Sequence, residues 1–125
     1  MMDKSQVVDN IVLINEAQPD EQVVFNFHTW LEVIKAILVN YAGKSEAQAE
    51  SLLFASPLVN NALGGYMAAV VRAHELEYHW AMELAHGEHY WQRGVSAEEP
   101  DGYFEWDEQY RKDHGLAEES FTFAE

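Results

Sequence analysis

Cysteine is absent from the 125-residue chain, which excludes disulfide bonds and thiolate metal sites. Basic residues are scarce as well: seven lysines and arginines stand against 22 aspartates and glutamates, for a net charge of −15. Bases this sparse cannot form the positive surface that binding to nucleic acid requires. Negative charge also opposes contact with anionic membranes. We therefore predict no direct nucleic-acid partner and no membrane partner, and we expect a basic protein to be the favoured partner.

Long apolar runs and catalytic motifs are also missing. The most apolar stretch, residues 62–73, is shorter than the roughly 20 residues that span a bilayer. The first residues, MMDKS, lack the basic and apolar parts of a signal peptide. The sequence contains no glycine-rich phosphate loop followed by lysine and no Gly-x-Ser-x-Gly nucleophile motif. We expect a cytoplasmic protein that is not an enzyme and carries no cofactor.

The apolar residues that are present indicate an all-α fold. Their share of 48% is typical of a globular protein, and 125 residues is within the usual size of one domain. Residues 1–125 are therefore predicted to form a single domain, and the spacing of the apolar residues predicts that it is helical. From Phe25 to Tyr41 they recur every three or four positions, as in an amphipathic helix, and Gly43 is placed to end it. Ser45 and Gln48 form a capping box for a second helix. Ser56–Pro57 ends that helix at a corner.

Other segments extend this bundle. In the N-terminal segment 1–18, residues 7–14 fit a short helix or a strand equally well, and Pro19-Asp20-Glu21 looks like a helix entry. A long central helix is predicted from Pro57 to about His86. Gly64–Gly65 inside it indicates either close packing of another helix, which we favour, or a kink or break. A short C-terminal extension follows. The expected architecture is a compact bundle of about four to five helices.

Histidines and glutamates concentrate in residues 74–89. On a helix, Glu75, His79, Glu83 and His86 would lie along one line, and imidazole with carboxylate suits zinc or iron. Helical di-iron sites use two Glu-x-x-His units, and this chain has one, Glu83-x-x-His86. A metal-binding protein, or a metal-dependent enzyme, is therefore an alternative hypothesis. A ladder of paired charges or a pH-responsive interface would use the same residues.

The C-terminal segment 97–125 combines acids with aromatics. It holds ten acids and two bases, a net −8 of the total −15. A helix is predicted over about Tyr103 to Asp113, ending at Gly115, with a tail from Glu118 that could dock as an extended strand. Carboxylates beside aromatic rings suit a surface that binds a basic partner. The residues predicted to form this binding surface are Glu105, Trp106, Asp107, Glu108 and Asp113, together with the nearby tail.

In size, acidity and lack of catalytic motifs, the sequence resembles small cytoplasmic proteins of bacteria and their phages and mobile elements that neutralise another protein. Immunity proteins, antitoxins and phage-type inhibitors are of this kind. The resemblance is one of type and carries no residue-by-residue match. It implies an inhibitor-like binding protein for a basic partner. A homo-oligomer built through the aromatic helix faces is the remaining alternative.

Overall fold

The computed structural model describes residues 4–124, which form six α-helices and one three-stranded antiparallel sheet. The all-α prediction is therefore wrong, and the fold is mixed. Strands of four residues are too short for hydrophobic periodicity to separate them from helical turns. The elements in chain order are β1 (Ile11–Ile14), β2 (Gln22–Phe25), α1 (Phe27–Ala42), α2 (Glu46–Phe54), α3 (Pro57–Asn60), α4 (Tyr66–Ala73), α5 (Glu77–His86), α6 (Tyr103–Asp113) and β3 (Phe121–Ala124).

The sheet has the order β1-β2-β3, so β2 lies in the centre. Ile11 pairs with Phe25, and Phe25 pairs with Phe121 on its other side. Because side chains alternate along a strand, these three residues share the face that packs on the helices. The rings of Phe25 and Phe121 stack at a centroid distance of 4.6 Å. The sheet therefore ties the two ends of the described chain to one core.

Pro19 lies in a hairpin turn between β1 and β2, so the helix predicted to begin there is wrong. The backbone amide of Asn15 donates to the carbonyl of Glu21 at 2.9 Å, and the Asn15 side chain donates to the Glu21 carboxylate at 3.0 Å. These bonds close the turn and pair the flanking residues as strands. Residues 11–14 within the ambiguous apolar segment are accordingly a strand.

Helices α1 and α2 agree with the sequence pattern. Trp30, Ile34 and Ile37 of α1 are fully buried, and Gly43 ends the helix in the left-handed region at φ 70°. The predicted capping box of Ser45 and Gln48 is present, with both reciprocal hydrogen bonds made. Helix α1 packs mainly on α5 and α2, and these three helices form the main helical layer.

The long central helix from Pro57 to His86 is wrong: it is broken into α3, α4 and α5. Gly65 has φ 134° and ψ −175°, a conformation outside the helical region that glycine adopts far more easily than other residues. A second break at residues 74–76 separates α4 from α5. The indole of Trp80 donates to the carbonyl of Arg72 there at 2.9 Å. Gly65 is the residue that precedes α4, so the pair marks a break in the helical run, and the favoured interpretation of close helix packing there is wrong.

Helix α6 and the tail agree with the prediction. The helix covers the predicted residues, Gly115 follows it with φ 65°, and residues 121–124 pair with β2 as the third strand. Tyr103 of α6 is 2% exposed and belongs to the core. Within residues 4–124 no helix combines the length and the apolar character needed to cross a membrane.

Candidate functional site

Arg111 organises the region between α6 and β3. Its side chain is buried, and all five of its N–H donors have acceptors. The Nε–H group donates to Asp107 at 3.0 Å, and Nη1 donates to the carbonyls of Ala117 and Glu118 at 3.2 and 3.3 Å. Nη2 donates to Glu77 at 2.8 Å and to Ser120 Oγ at 3.3 Å. One guanidinium therefore joins α6, the first residue of α5 and the segment 117–120.

The opposite side of segment 117–120 is held by residues near the start of α1. The side chain of Asn26 donates to the carbonyl of Glu119 at 2.8 Å, and its backbone amide donates to the carbonyl of Ser120 at 2.8 Å. Thr29 Oγ1 accepts from the amide of Ala117 at 3.0 Å and donates to Asp9 at 2.7 Å. The backbone of this acidic segment is therefore fixed from two sides, although it lies in no helix or strand.

Glu77 is the most deeply buried carboxylate in this network, with a side chain 12% exposed. Burial raises the pKa of Glu77 above its ordinary value, although the neighbouring Arg111 acts in the opposite direction. The Asp107 carboxylate adds to the increase, and Ser120 reduces it through a hydrogen bond. Burial likewise raises the pKa of the Tyr103 hydroxyl, so this phenol stays protonated.

Two adjoining cavities flank α6 and segment 117–120, with volumes of about 400 and 350 Å³. We call them together the C-terminal groove. Both are lined by Phe104, Asp107, Arg111, Glu118 and Glu119. The residues lining the two cavities include six acids and two bases, so the groove is negative. Exposed aromatic residues border it, since Phe104 and Phe123 are 58% and 46% exposed.

The structure separates the residues that the sequence predicted to form one binding surface. Glu108 lines the groove and pairs with Lys112 at 3.0 Å, whereas Glu105 and Asp113 are exposed on α6 but line neither cavity. Asp107 lines the groove but is paired with Arg111. Trp106 is half-buried and packs on Tyr41 of α1 at a centroid distance of 5.3 Å, so its ring contributes to the core.

The sequence pattern did not single out Phe104, the most exposed ring of the groove, and it included Glu118 and Glu119 only as part of the nearby tail. Phe104, Glu108 and Arg111 are spaced by four and three positions and so share one side of α6. That spacing could have indicated a second, acidic and aromatic face beside the core-facing one. Segment 117–120 carries no comparable signal, because its position depends on contacts distant in the sequence.

The four residues predicted as metal ligands do not form one line on a helix. Glu75 lies in the break between α4 and α5, and His86 is exposed at the end of α5. His79 and Glu83 are neighbours, with Nε2 and the carboxylate 3.3 Å apart. Among residues 4–124, no group of three or more histidines, aspartates or glutamates is arranged to hold a metal ion.

His79 instead belongs to a third cavity, of about 300 Å³, between α5 and a 3₁₀ turn at Tyr90–Arg93. We call it the aromatic pocket, lined by Glu75, Tyr78, His79, Tyr90, Trp91 and Glu99, with Leu76 and Ala97. Glu75 and Leu76 line the C-terminal groove as well, so the two sites adjoin. Their shared chemistry, carboxylates beside aromatic rings, can hold organic cations. No family model, curated protein or solved structure shows significant similarity to the chain.

Proposed function

We propose that this protein binds a basic segment of a partner protein in the C-terminal groove and thereby blocks the partner's positive surface. This is the activity of an inhibitor or immunity protein, and a bacterial or phage cytoplasm is the setting that we propose for it. The observation that carries the proposal is the groove itself, in which unpaired carboxylates stand beside exposed rings on a fixed backbone. Each of these three properties contributes to binding in a different way.

The carboxylates supply attraction for a basic segment. Within residues 4–124 neither Glu118 nor Glu119 has an ion-pair partner for its side chain, and both are exposed. The chain as a whole carries a charge of −15, so long-range attraction adds to local pairing. Such complementarity speeds encounter and discriminates against acidic partners.

The exposed rings supply apolar surface whose burial by a partner is favourable. Phe104 is the most exposed aromatic residue that lines the groove, and Phe123 lines one of its two cavities. Aromatic side chains at the centre of an interface commonly carry most of its binding energy. Aliphatic parts of lysine and arginine side chains can cover these rings while their charged ends reach Glu118 and Glu119.

The fixed backbone reduces the entropy lost on binding. Hydrogen bonds from Arg111, Asn26 and Ala117 hold segment 117–120 before any partner arrives. Because this segment is already ordered, a partner does not have to order it. This differs from an acidic tail without fixed structure, which attracts basic proteins with less specificity.

A fluorescein-labelled oligoarginine peptide tests the proposal, with binding followed by fluorescence anisotropy at low and physiological salt. The decisive variant is Glu118→Gln/Glu119→Gln, and its matched control is Glu16→Gln/Asp20→Asn in the β1–β2 turn. Both variants remove two exposed acids, but the turn lies at the opposite end of the sheet from Phe121. We expect the groove variant to weaken binding about fivefold or more and the control to weaken it less than twofold.

Equal losses in the two variants would mean that only net charge matters, which would refute a specific groove. Tight binding that does not decline with salt would also contradict the electrostatic argument. A Phe104→Ala variant provides a second test, because it removes exposed area without changing charge. Its loss of affinity should persist at high salt, and light scattering on the same samples would reveal a homo-oligomer.

A further inference from the structure

The aromatic pocket is the strongest site outside the segment that the proposed function uses. It has a volume of about 300 Å³, room for roughly ten water molecules and hence for the head of one long side chain. Tyr90 is 1% exposed and forms its inner wall, whereas Trp91 is 45% exposed and forms its outer wall. The two rings meet nearly at a right angle, 83°, with centroids 5.1 Å apart.

Hydrogen bonds hold Tyr90 in place. The Tyr90 hydroxyl lies 3.0 Å from His79 Nδ1, and the other ring nitrogen of His79 lies 3.3 Å from Glu83. A neutral imidazole that donates to Glu83 from Nε2 accepts the Tyr90 proton at Nδ1. Hydrogen bonding to His79 of α5 therefore fixes Tyr90, the inner wall of the pocket, and the ring of Trp91 packs against it.

The charged groups of the pocket are all negative. Glu75 and Glu99 line it, and within residues 4–124 neither carboxylate has a hydrogen-bond or ion-pair partner. Burial is the main cause that raises the pKa of Tyr90, and Tyr78 and the carboxylates of Glu75, Glu83 and Glu99 raise it further. Glu75 and Glu99 therefore give the lining of the pocket a negative charge.

We propose that the aromatic pocket binds the guanidinium group of one arginine side chain, which lies against Trp91 and pairs with Glu75 and Glu99. Aromatic faces attract cations, and tryptophan does so most strongly. A planar guanidinium suits this site better than an ammonium because it can stack on a ring while its edge donates to carboxylates. The inference rests on the proposed function, since Glu75 and Leu76 connect the pocket to the C-terminal groove. The pocket would then select arginine at one position of the basic segment.

The test uses two small probes that differ in charge but hardly in shape, N-acetylarginine amide and N-acetylcitrulline amide. Each is titrated into the ¹⁵N-labelled protein, and the indole N–H signal of Trp91, assigned with a Trp91→Phe variant, is followed by NMR. We expect the arginine probe to shift this signal and the amides of residues 90–99 in a saturable way. The citrulline probe should leave them unchanged, and equal shifts with both would overturn the proposal.

Two neighbouring glutamates provide a matched pair of variants. Glu99 lines the pocket, whereas Glu98 is exposed beside it and does not. Glu99→Gln should weaken binding of the arginine probe about fivefold or more, and Glu98→Gln less than twofold. Equal effects of the two variants would show that the probe senses only surface charge and would overturn the site. Circular dichroism confirms that each variant is folded.

The two proposals fail in different ways. If oligoarginine binding depends on Glu118 and Glu119 but not on Glu99 or Trp91, the groove stands and the arginine pocket is wrong. If the arginine probe binds at Trp91 but the groove variant binds oligoarginine as tightly as the wild type does, the pocket stands as a cation site and the groove proposal is wrong. Tetramethylammonium as a third probe separates guanidinium recognition from general binding of organic cations, because tighter binding of tetramethylammonium would contradict the choice of arginine.

Discussion

Replacing Arg111 with methionine should destabilise this protein far more than replacing its neighbour Lys112. Each residue forms an ion pair four positions back along α6, Arg111 with Asp107 and Lys112 with Glu108, at 3.0 Å in both cases. The pairs differ in burial: the Arg111 side chain is 6% exposed, and the Lys112 side chain is 63% exposed. Lys112→Met is thus a control with the same helix, spacing and charge change.

The expected magnitude follows from what Arg111→Met leaves behind. Glu77, 12% exposed, would lose the guanidinium that bonds it at 2.8 Å, and the carbonyls of Ala117 and Glu118 would lose their donors from Arg111. Removing one partner of a buried ion pair costs about 3–5 kcal/mol, whereas exposed pairs contribute about 0–1 kcal/mol. A loss of this size lowers Tm by about 10–20 °C in a domain of this length.

The assay is urea and thermal unfolding followed by circular dichroism, at neutral pH. If Arg111→Met does not fold, Arg111→Lys retains the charge with fewer donors and should lose about 1–3 kcal/mol. A double variant, Arg111→Met/Glu77→Gln, should recover part of the loss because no unpaired charge stays buried. A difference of less than about 1 kcal/mol between the free energies of unfolding of Arg111→Met and Lys112→Met would refute the prediction.

Two further predictions concern Glu77 and Gly65. Because the pKa of Glu77 is raised above its ordinary 4.5, the folded state holds this proton more tightly than the unfolded chain does. The free energy of unfolding of the wild type relative to Glu77→Gln should therefore fall as pH rises from about 4.5 through the raised pKa. Urea titrations of both proteins across this pH range measure the difference. A difference that does not change with pH would contradict the prediction. Gly65→Ala should cost about 1–3 kcal/mol for conformation alone, since φ is 134° and a Cβ would meet no atom within 4 Å. An unchanged urea midpoint would show that the backbone there adapts freely.

The elements predictable from sequence were those specified by neighbouring residues. The periodic face of α1, the capping box of Ser45 and Gln48 and the extent of α6 depend on residues within a few positions of each other. Strands β1 and β2 depend on pairing across a turn, and four-residue strands give no clear periodicity. Glycines disfavour a helix at Gly64–Gly65, but the sequence alone does not show whether the helix continues through them or breaks there.

The site was predictable in composition and not in arrangement. The acidity of residues 97–125 located the region of the groove, yet a count of acids cannot show which carboxylate is neutralised by an internal partner. The Asp107 carboxylate is paired with buried Arg111, whereas within residues 4–124 the Glu118 carboxylate has no such partner. This difference depends on contacts between α5, α6 and segment 117–120. The aromatic pocket likewise depends on contacts between separate segments, because Trp91 and Glu99 line it together with Tyr78 and His79 of α5.

The position of β3 has a consequence for how the protein folds. Its partner β2 lies near the other end of the described chain, so pairing Phe25 with Phe121 closes a loop that contains all six helices. Closing so long a loop is entropically costly, and contacts of this range slow folding. We expect the helical layer around α1 and α5 to form before the sheet is complete. Segment 117–120 would then take its final position late, and a partner would meet a finished groove only in the fully folded molecule.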